Sequence, residues 1–567
     1  MIEISIIILL CLAAAALLTP YLYKVSEGRP GKLDFIFDKA DNFIYKTCAI
    51  DRKEMLWKRY LANLLIVNIA AAVFGFIILK LQSLLFLNPN AAANMPSGTT
   101  LNTVISFITN TNLQHYAGET DLSYLSQIAV ITFMMFVSAA TGYSACVAFL
   151  RGLIGSKKTI GNYYVDMTRF ITRVLIPLSF IIGLFLISQG TPQNFSKTIK
   201  VQTIENSYQD IVTGPVASLV SIKHLGTNGG GFLSANSSSP QENPTVLTNI
   251  VEMVSMTLIP LSLIGVFAMM LTKRRRETNS KNFSPRHAFA IFASIGIIFI
   301  ILLSVSFHYE QLPNPNIAKT GIQNISGNME GKEYRFAVAQ SSLFTTITTA
   351  FSTGSINNSH DSLSPLGAMS AMLAMMLNVV FGGSGAGLMN ILIYVMLTVF
   401  LSSLMIGRSP EYLSKKIEVK EMKLIAICII IHPLLILSFS ALAVISKAGA
   451  EAVTNPSFHG FGQILYQFAS AAANNGSEFS GLKSSTAFFN NTTAIVMLLG
   501  RYVPIILQFA IIGSLLNKEN SQSALTLKTD TITFALMLTV VIIIFAALTF
   551  LPALALSSIA EHLTLWK

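Results

Sequence analysis

Apolar runs long enough to cross the ~30 Å of hydrocarbon in a bilayer recur along the whole chain, from residues 4–22 at one end to 532–554 at the other. Basic clusters punctuate them. Lys24, Arg29, Lys32, Lys39, Lys46, Arg52 and Lys53 follow the first run; others lie at 151–158 with Arg169 and Arg173, at 273–276, at 408–423, and more weakly around Lys518 and Lys528. Lys and Arg gather on the cytoplasmic flanks of membrane helices, so the chain is expected to leave the cytoplasm and return between successive clusters. Each excursion has one plan: an apolar span outward, a polar outer segment, a short helical stretch, a Gly/Asn/Thr-rich turn, and an apolar span inward. The plan recurs over 59–165, 166–287, 288–420 and 421–528, after a first span and cytoplasmic loop at 1–58 and before a last span at 529–567. The expectation is an all-α polytopic membrane protein with about ten transmembrane helices and pseudo-repeated membrane-pore-membrane units.

The short stretches, 101–109, 214–226, 341–350 and 462–473, cannot cross a bilayer. They lead into TNTNLQHY from Thr109, TNGGGF from Thr227, STGSINN from Ser352 and NNGSEF from Asn474. Non-helical backbone at membrane depth is tolerated only where protein buries it or where it lines an aqueous cavity, so these turns should converge on one axis. In the third unit, 363–407 is twice the length that one span needs and contains FGGSGAG from Phe381. Two full crossings would put the basic run at 408–423 outside, so one long crossing broken at 382–387 is expected.

Composition agrees with a lipid-covered chain. The 567 residues are 52% hydrophobic and only 11% charged, with a mean hydropathy of +0.60, too little charge to cover a soluble globule. The net charge of +11 lies in clusters flanking apolar runs, not on one basic face, which argues against nucleic acid. Cys11, Cys48, Cys146 and Cys428 form no C-x-x-C pair, and the eight histidines show no H-E-x-x-H spacing, so neither a disulfide framework nor a catalytic metal is expected. Basic residues follow the first run instead of preceding it. That fits a retained helix with the amino end outside; a signal cleaved after the run of alanines at 13–16 is the alternative. A final span from the weak cluster at Lys528 would leave the carboxyl end outside as well.

A potassium ion sheds its water only where oxygen dipoles replace it, and backbone carbonyls do so when consecutive residues point inward. Glycine reaches such geometry most cheaply. Gly229, Gly354 and Gly476 occupy matching places in three turns, and the first has Asn112 there. Thr111, Thr227, Asn228, Thr353, Asn474 and Asn475 can lock the turns from behind, while the short helices aim carbonyl ends at the ion. A single such turn is more often a kink or an extracellular loop; recurrence in register is what points to a channel-like selectivity filter. For FGGSGAG, close packing of small residues and a gating role both remain open. Glu242, Glu478 and Asp361 sit near the outer ends of spans, where they could attract cations or act as solvated loop charges. Arg501 lies inside an apolar helix, where a fixed charge beneath the filter would oppose direct cation exit.

GTNGGGFLSANSSSPQENPT from Gly226, FGGSGAG with LMIGRSPEYLSKKIE from Leu404, and AANNGSEFSGL with LLGRYVP ending at Pro504 follow in order. Over essentially its full length the chain resembles the potassium-binding A subunit of the bacterial Kdp-type potassium-transporting ATPase, in the superfamily of potassium transporters. The resemblance implies a K+ filter at Asn110, Thr111 and Asn112, at Thr227, Asn228 and Gly229, at Ser352, Thr353 and Gly354, and at Asn474, Asn475 and Gly476, with Gln114 lining the filter or its vestibule. It further implies a gating loop at Gly382, Gly383, Gly385 and Gly387, with Arg501 as the basic residue of the fourth unit. Asn378, just before the break, is neutral, which conflicts with any mechanism that needs a carboxylate there. The implied partners are a P-type ATPase catalytic subunit, a single-span accessory subunit and a small peptide subunit, in the bacterial plasma (inner) membrane, with K+ as the transported ion and no organic cofactor. The chain has neither a G-x-x-x-x-G-K-[ST] loop nor a D-K-T-G motif, so it is expected to be non-catalytic alone, with ATP used by its partner. An autonomous K+ channel or an ion-coupled K+ symporter is the alternative function.

Overall fold

The structure, a computed structural model, describes residues 2–31, 34–321, 326–519 and 527–566; Lys32 of the first basic cluster lies outside them. In chain order its principal helices are α1 (Ile2–Ser26), α2 (Asp34–Thr47), α3 (Trp57–Leu84), α4 (Ser97–Ile108), α5 (Tyr124–Ile154), α6 (Tyr163–Ser188), α7 (Val216–Leu225) and α8 (Val246–Thr278). These are followed by α9 (Arg286–Gln311), α10 (Ala337–Ala350), α11 (Pro365–Leu377), α12 (Ala386–Met405), α13 (Val419–Ile445), α14 (Ser457–Ala473), α15 (Ala487–Leu515) and α16 (Ile532–Leu554). Among the described residues 10 helices are long and apolar enough to span a membrane, which bears out the expected all-α polytopic class.

Capping residues fix where the spans begin. Thr245 and Thr248 form a reciprocal capping box at α8, Ser364 caps α11 ahead of Pro365, and Thr486 and Thr531 cap α15 and α16. Internal prolines at Pro260, Pro433 and Pro504 lie within long spans, which membrane helices tolerate more readily than soluble ones.

Each unit places a short helix between two long ones: α3–α4–α5, α6–α7–α8, α9–α10 with the pair α11 and α12, and α13–α14–α15. The third inner crossing is broken as expected, but the break covers 378–385 instead of 382–387: α11 stops at Leu377 and α12 starts at Ala386, so Gly387 lies in the first turn of α12. α1 packs along α8, and α16 along α9 and α12, so both terminal helices clad the repeats from outside. α5 is the most central span, with 89% of its apolar window buried against 22% for α1.

The short helices end within a residue of their expected ends but three start earlier, at Ser97, Ala337 and Ser457. Their polar or mixed first turns escape a pattern keyed to apolar positions. Two small hairpins also interrupt the helical chain. One pairs Ile199–Gln202 with Tyr208–Ile211 in the outer segment before α7, and the other pairs Glu411–Tyr412 with Lys415–Lys416 inside the basic run.

Candidate ion-binding site

The short helices end in the same way. Asn110, Thr227, Ser352 and Asn474 all adopt left-handed φ, at 63°, 50°, 47° and 52°. Each donates its backbone N–H three residues back, to Phe107, His224, Thr349 and Ala471, at 3.1–3.4 Å. The next residue, Thr111, Asn228, Thr353 or Asn475, donates five residues back, to Ser106, Lys223, Thr348 or Ser470, at 2.8–3.0 Å. This pair of bonds is the Schellman cap, which stops a helix and turns the chain sharply away from its carbonyl end. The same cap thus ends all four short helices, whose C-termini carry partial negative charge.

Beyond the caps the turns interlock as a ring. A Cβ on Gly229 would lie 2.4 Å from the Thr353 carbonyl oxygen, one on Gly354 1.9 Å from that of Asn475, and one on Gly476 1.9 Å from that of Thr111. The first and second turns close the circle through Asn112 Nδ2 to Asn228 Oδ1 at 2.9 Å and Asn110 Nδ2 to the Thr227 carbonyl at 2.8 Å. Gly354, Gly476 and Asn112 have positive φ, at 89°, 101° and 61°, whereas Gly229 does not. Close backbone approach, not left-handed geometry, is what requires glycine at position 229.

Side chains lock the ring from behind. Asn474 Nδ2 donates to Thr111 Oγ1 at 2.9 Å, Asn475 Nδ2 to the Thr348 carbonyl at 2.8 Å, and Ser138 Oγ to Asn110 Oδ1 at 2.8 Å. Thr353 Oγ1 is buried with no hydrogen-bond partner among the described residues. Gln114 clamps the outer edge: its Nε2 donates to the Gly231 carbonyl at 3.0 Å, and its Oε1 accepts from the Gly231 N–H at 2.8 Å.

The second turn rests on a buried network that the sequence reading did not identify. Lys223 Nζ donates to Glu242 Oε2 at 2.6 Å, Asn236 Oδ1 at 2.6 Å and Ser237 Oγ at 2.8 Å; Asn236 Nδ2 in turn donates to the Gly229 carbonyl at 2.6 Å. A lysine in the short apolar helix 216–225 was the available signal, because a buried ammonium requires a partner. Glu242 is thus no solvated loop charge. Nor is Asp361, which accepts from His459 at 3.1 Å and Gln463 at 3.2 Å. Beside the fourth turn the buried His115 lies with Nδ1 2.7 Å from Asn490 Oδ1 and Nε2 3.0 Å from Gln467 Nε2.

Beneath the ring lies a cavity of about 20 Å³, lined by Asn110, Ser352 and Asn474 from three turns, by Gly383, and by Arg501. That is room for about one water. Arg501 is buried and makes no hydrogen bond or ion pair among the described residues. The glycine break packs directly under the filter turns. Thr227 Oγ1 accepts from the Ser384 N–H at 2.9 Å and donates to Ser384 Oγ at 3.1 Å; a Cβ on Gly385 would lie 2.2 Å from the Gly142 carbonyl oxygen, and one on Gly387 1.8 Å from that of Phe381. Gly382 and Gly385 have φ of 66° and 86°. A second crevice of about 40 Å³ shares Asn378, Asn390 and Pro504 with the first and runs between α12, α13 and α15.

A family of sequences described as the potassium-transporting ATPase A subunit matches residues 5–563. The potassium-transporting ATPase potassium-binding subunit of Staphylococcus haemolyticus (strain JCSC1435) is 50% identical over 564 residues, covering 99% of this chain and 100% of the relative. The potassium-binding subunit 2 of Staphylococcus aureus (strain Mu50 / ATCC 700699) is 51% identical with the same coverage. Among solved structures, the potassium transporter TrkH from Vibrio parahaemolyticus is similar at a TM-score of 0.48 and 13% identity, covering 88% of this chain and 96% of that one.

Proposed function

The chain belongs to the family of potassium-transporting ATPase A subunits, and from that premise we propose that it captures extracellular K+ in the ring of turns and passes it on for ATP-driven import. The observation that carries this reading is the ring itself, four identically capped turns each seated against the next. Peptide oxygens held there by neighbouring backbone can stand in for lost hydration without rearranging. The filter comprises Asn110, Thr111, Asn112, Thr227, Asn228, Gly229, Ser352, Thr353, Gly354, Asn474, Asn475 and Gly476, with Gln114 holding the outer edge. The segment at Gly382, Gly383 and Gly385, with Gly387 in the first turn of α12, controls the inner side, and Arg501 repels a cation from the direct exit. The crevice between α12, α13 and α15 is then the way out.

Energy comes from a P-type ATPase catalytic subunit, with a single-span accessory subunit and a small peptide subunit completing the complex in the bacterial inner membrane, both ends of this chain outside. In the test, phosphate release by the co-expressed complex is measured with K+ and with Na+. Stimulation by K+ alone, requiring the partner, is expected; robust K+ uptake by this chain without a partner overturns the reading in favour of a channel or symporter. In the same complex, Arg501→Ala is expected to keep K+-stimulated hydrolysis but import fewer ions per ATP. Unchanged coupling in that variant removes Arg501 from the gate.

A further inference from the structure

In α2 burial is inverted. Phe43, Phe35 and Ile36 face out, 72%, 68% and 53% exposed, while Asp41 is 3% and Tyr45 6% exposed. Asp34 and Asp41 turn inward onto one arginine of α6, and Asp38, with 60% of its side chain exposed, reaches the same arginine from the rim. Arg173 donates from Nε to Asp34 at 3.3 Å, from Nη2 to Asp38 at 2.6 Å, and from Nη1 to Asp41, and its guanidinium lies 5.8 Å from the Phe37 ring centroid. Ile36, Ala40, Phe43 and Thr47 recur at helical spacing along the outward face, edged by the exposed Lys39 and Lys46. A soluble surface helix would bury the first set and expose the acids.

The surroundings say what covers that face. α1 ends at Ser26 and α3 starts at Trp57, so α2 lies where the chain leaves and re-enters the bilayer, on the side remote from the filter turns. Arg173 marks the point on α6 where Asp166 and Arg169 give way to Val174 and Leu175, at the boundary of the apolar layer. A cleft of about 180 Å³ beside α2 is lined by Lys24, Arg29 and Arg169 as well as by Asp34, Asp38 and Arg173. Lys24 and Arg169 form no ion pair among the described residues.

We propose that α2 lies in the plane of the membrane as an interfacial anchor, with Ile36 and Phe43 in the acyl boundary and Lys39, Lys46 and the basic cleft engaging the phosphates of anionic phospholipid. Apolar and basic groups are what that layer accepts, and the three aspartates are each paired with Arg173. The inference rests on the chain spanning a membrane and not on the ion it carries.

The test uses the full chain carrying a spin label at Phe43→Cys in a Cys48→Ser background, reconstituted in phosphatidylglycerol or phosphatidylcholine vesicles. Collision with oxygen and with a water-soluble nickel chelate gives the label's depth. A label about 5–10 Å below the phosphates is expected, withdrawn in phosphatidylglycerol by the added pair Lys39→Gln and Lys46→Gln. A label open to nickel in phosphatidylglycerol vesicles overturns the proposal, and so does one shielded only after partner subunits are added. Retention of the native thermal transition by the labelled chain separates either result from misfolding.

Discussion

Gly354 carries two constraints at once. Its φ of 89° is disfavoured for any residue with a Cβ, and that Cβ would sit 1.9 Å from the Asn475 carbonyl oxygen. The left-handed backbone alone costs ~1–2 kcal/mol, and the overlap must push the fourth turn aside. Gly354→Ala is therefore expected to raise the K+ concentration for half-maximal ATPase of the complex by about tenfold or more, a factor equivalent to ~1.4 kcal/mol. Gly296→Ala, where nothing lies within 4 Å of the new methyl, is expected to leave it unchanged; equal effects in both would detach the ring from ion binding. The third position of three of the turns, Gly229, Gly354 and Gly476, was legible in sequence because glycine advertises crowding. The first position was not. Asn110, Thr227, Ser352 and Asn474 share one left-handed cap, but nothing local marks a common polar residue as one: the pattern read Thr227 and Asn474 only as possible side-chain locks, and Asn110 and Ser352 entered the filter only through the family resemblance.

At the scale of the element, α7 shows how a short helix holds its turn. Lys223 and Glu242 are both fully buried and paired, and Asn236 couples them to the Gly229 carbonyl. Removing one partner of such a pair leaves an uncompensated charge and typically costs ~3–5 kcal/mol. Lys223→Met is expected to lower the stability of the purified complex by that order in thermal unfolding, and Lys223→Met with Glu242→Gln to recover part of it. A double variant no better than the single one would show that the pair is not what steadies the second turn. The ends of the short helices were predictable because Gly and Asn follow them; the pairing across the intervening loop was not, since nothing local specifies which of several polar residues will meet Lys223.

For the whole molecule, His459 ties distant parts of the outer face together. It bonds Asp361 after the third turn at 3.1 Å and Glu561 near the carboxyl end at 2.9 Å. Burial by itself would lower the imidazole, but hydrogen bonds to Asp361 and Glu561 outweigh it and raise it to about 10 from its ordinary value of 6.5. Because the folded value exceeds the unfolded one, the stabilisation is complete below about 6.5 and vanishes as pH climbs through about 10. Thermal unfolding from pH 7 to 11 is expected to show a falling midpoint that His459→Gln lacks; parallel curves would contradict the charged triad.

The sequence by itself determined the spans, their repetition and the position of the turns. A bilayer has a fixed thickness and tolerates neither charge nor free backbone groups, so run length, basic flanks and glycine carry that information locally. Only the tertiary structure decided the order in which the turns seat on one another, the cap shared by Asn110, Thr227, Ser352 and Asn474, the burial of Lys223 with Glu242, and the outward face of α2. Each is a contact between segments far apart in the chain or between residues that local pattern treats as interchangeable. Gly476 against Thr111 is the extreme case: neither residue's neighbours in sequence say that the last turn closes on the first, because closure is a property of packing around an axis.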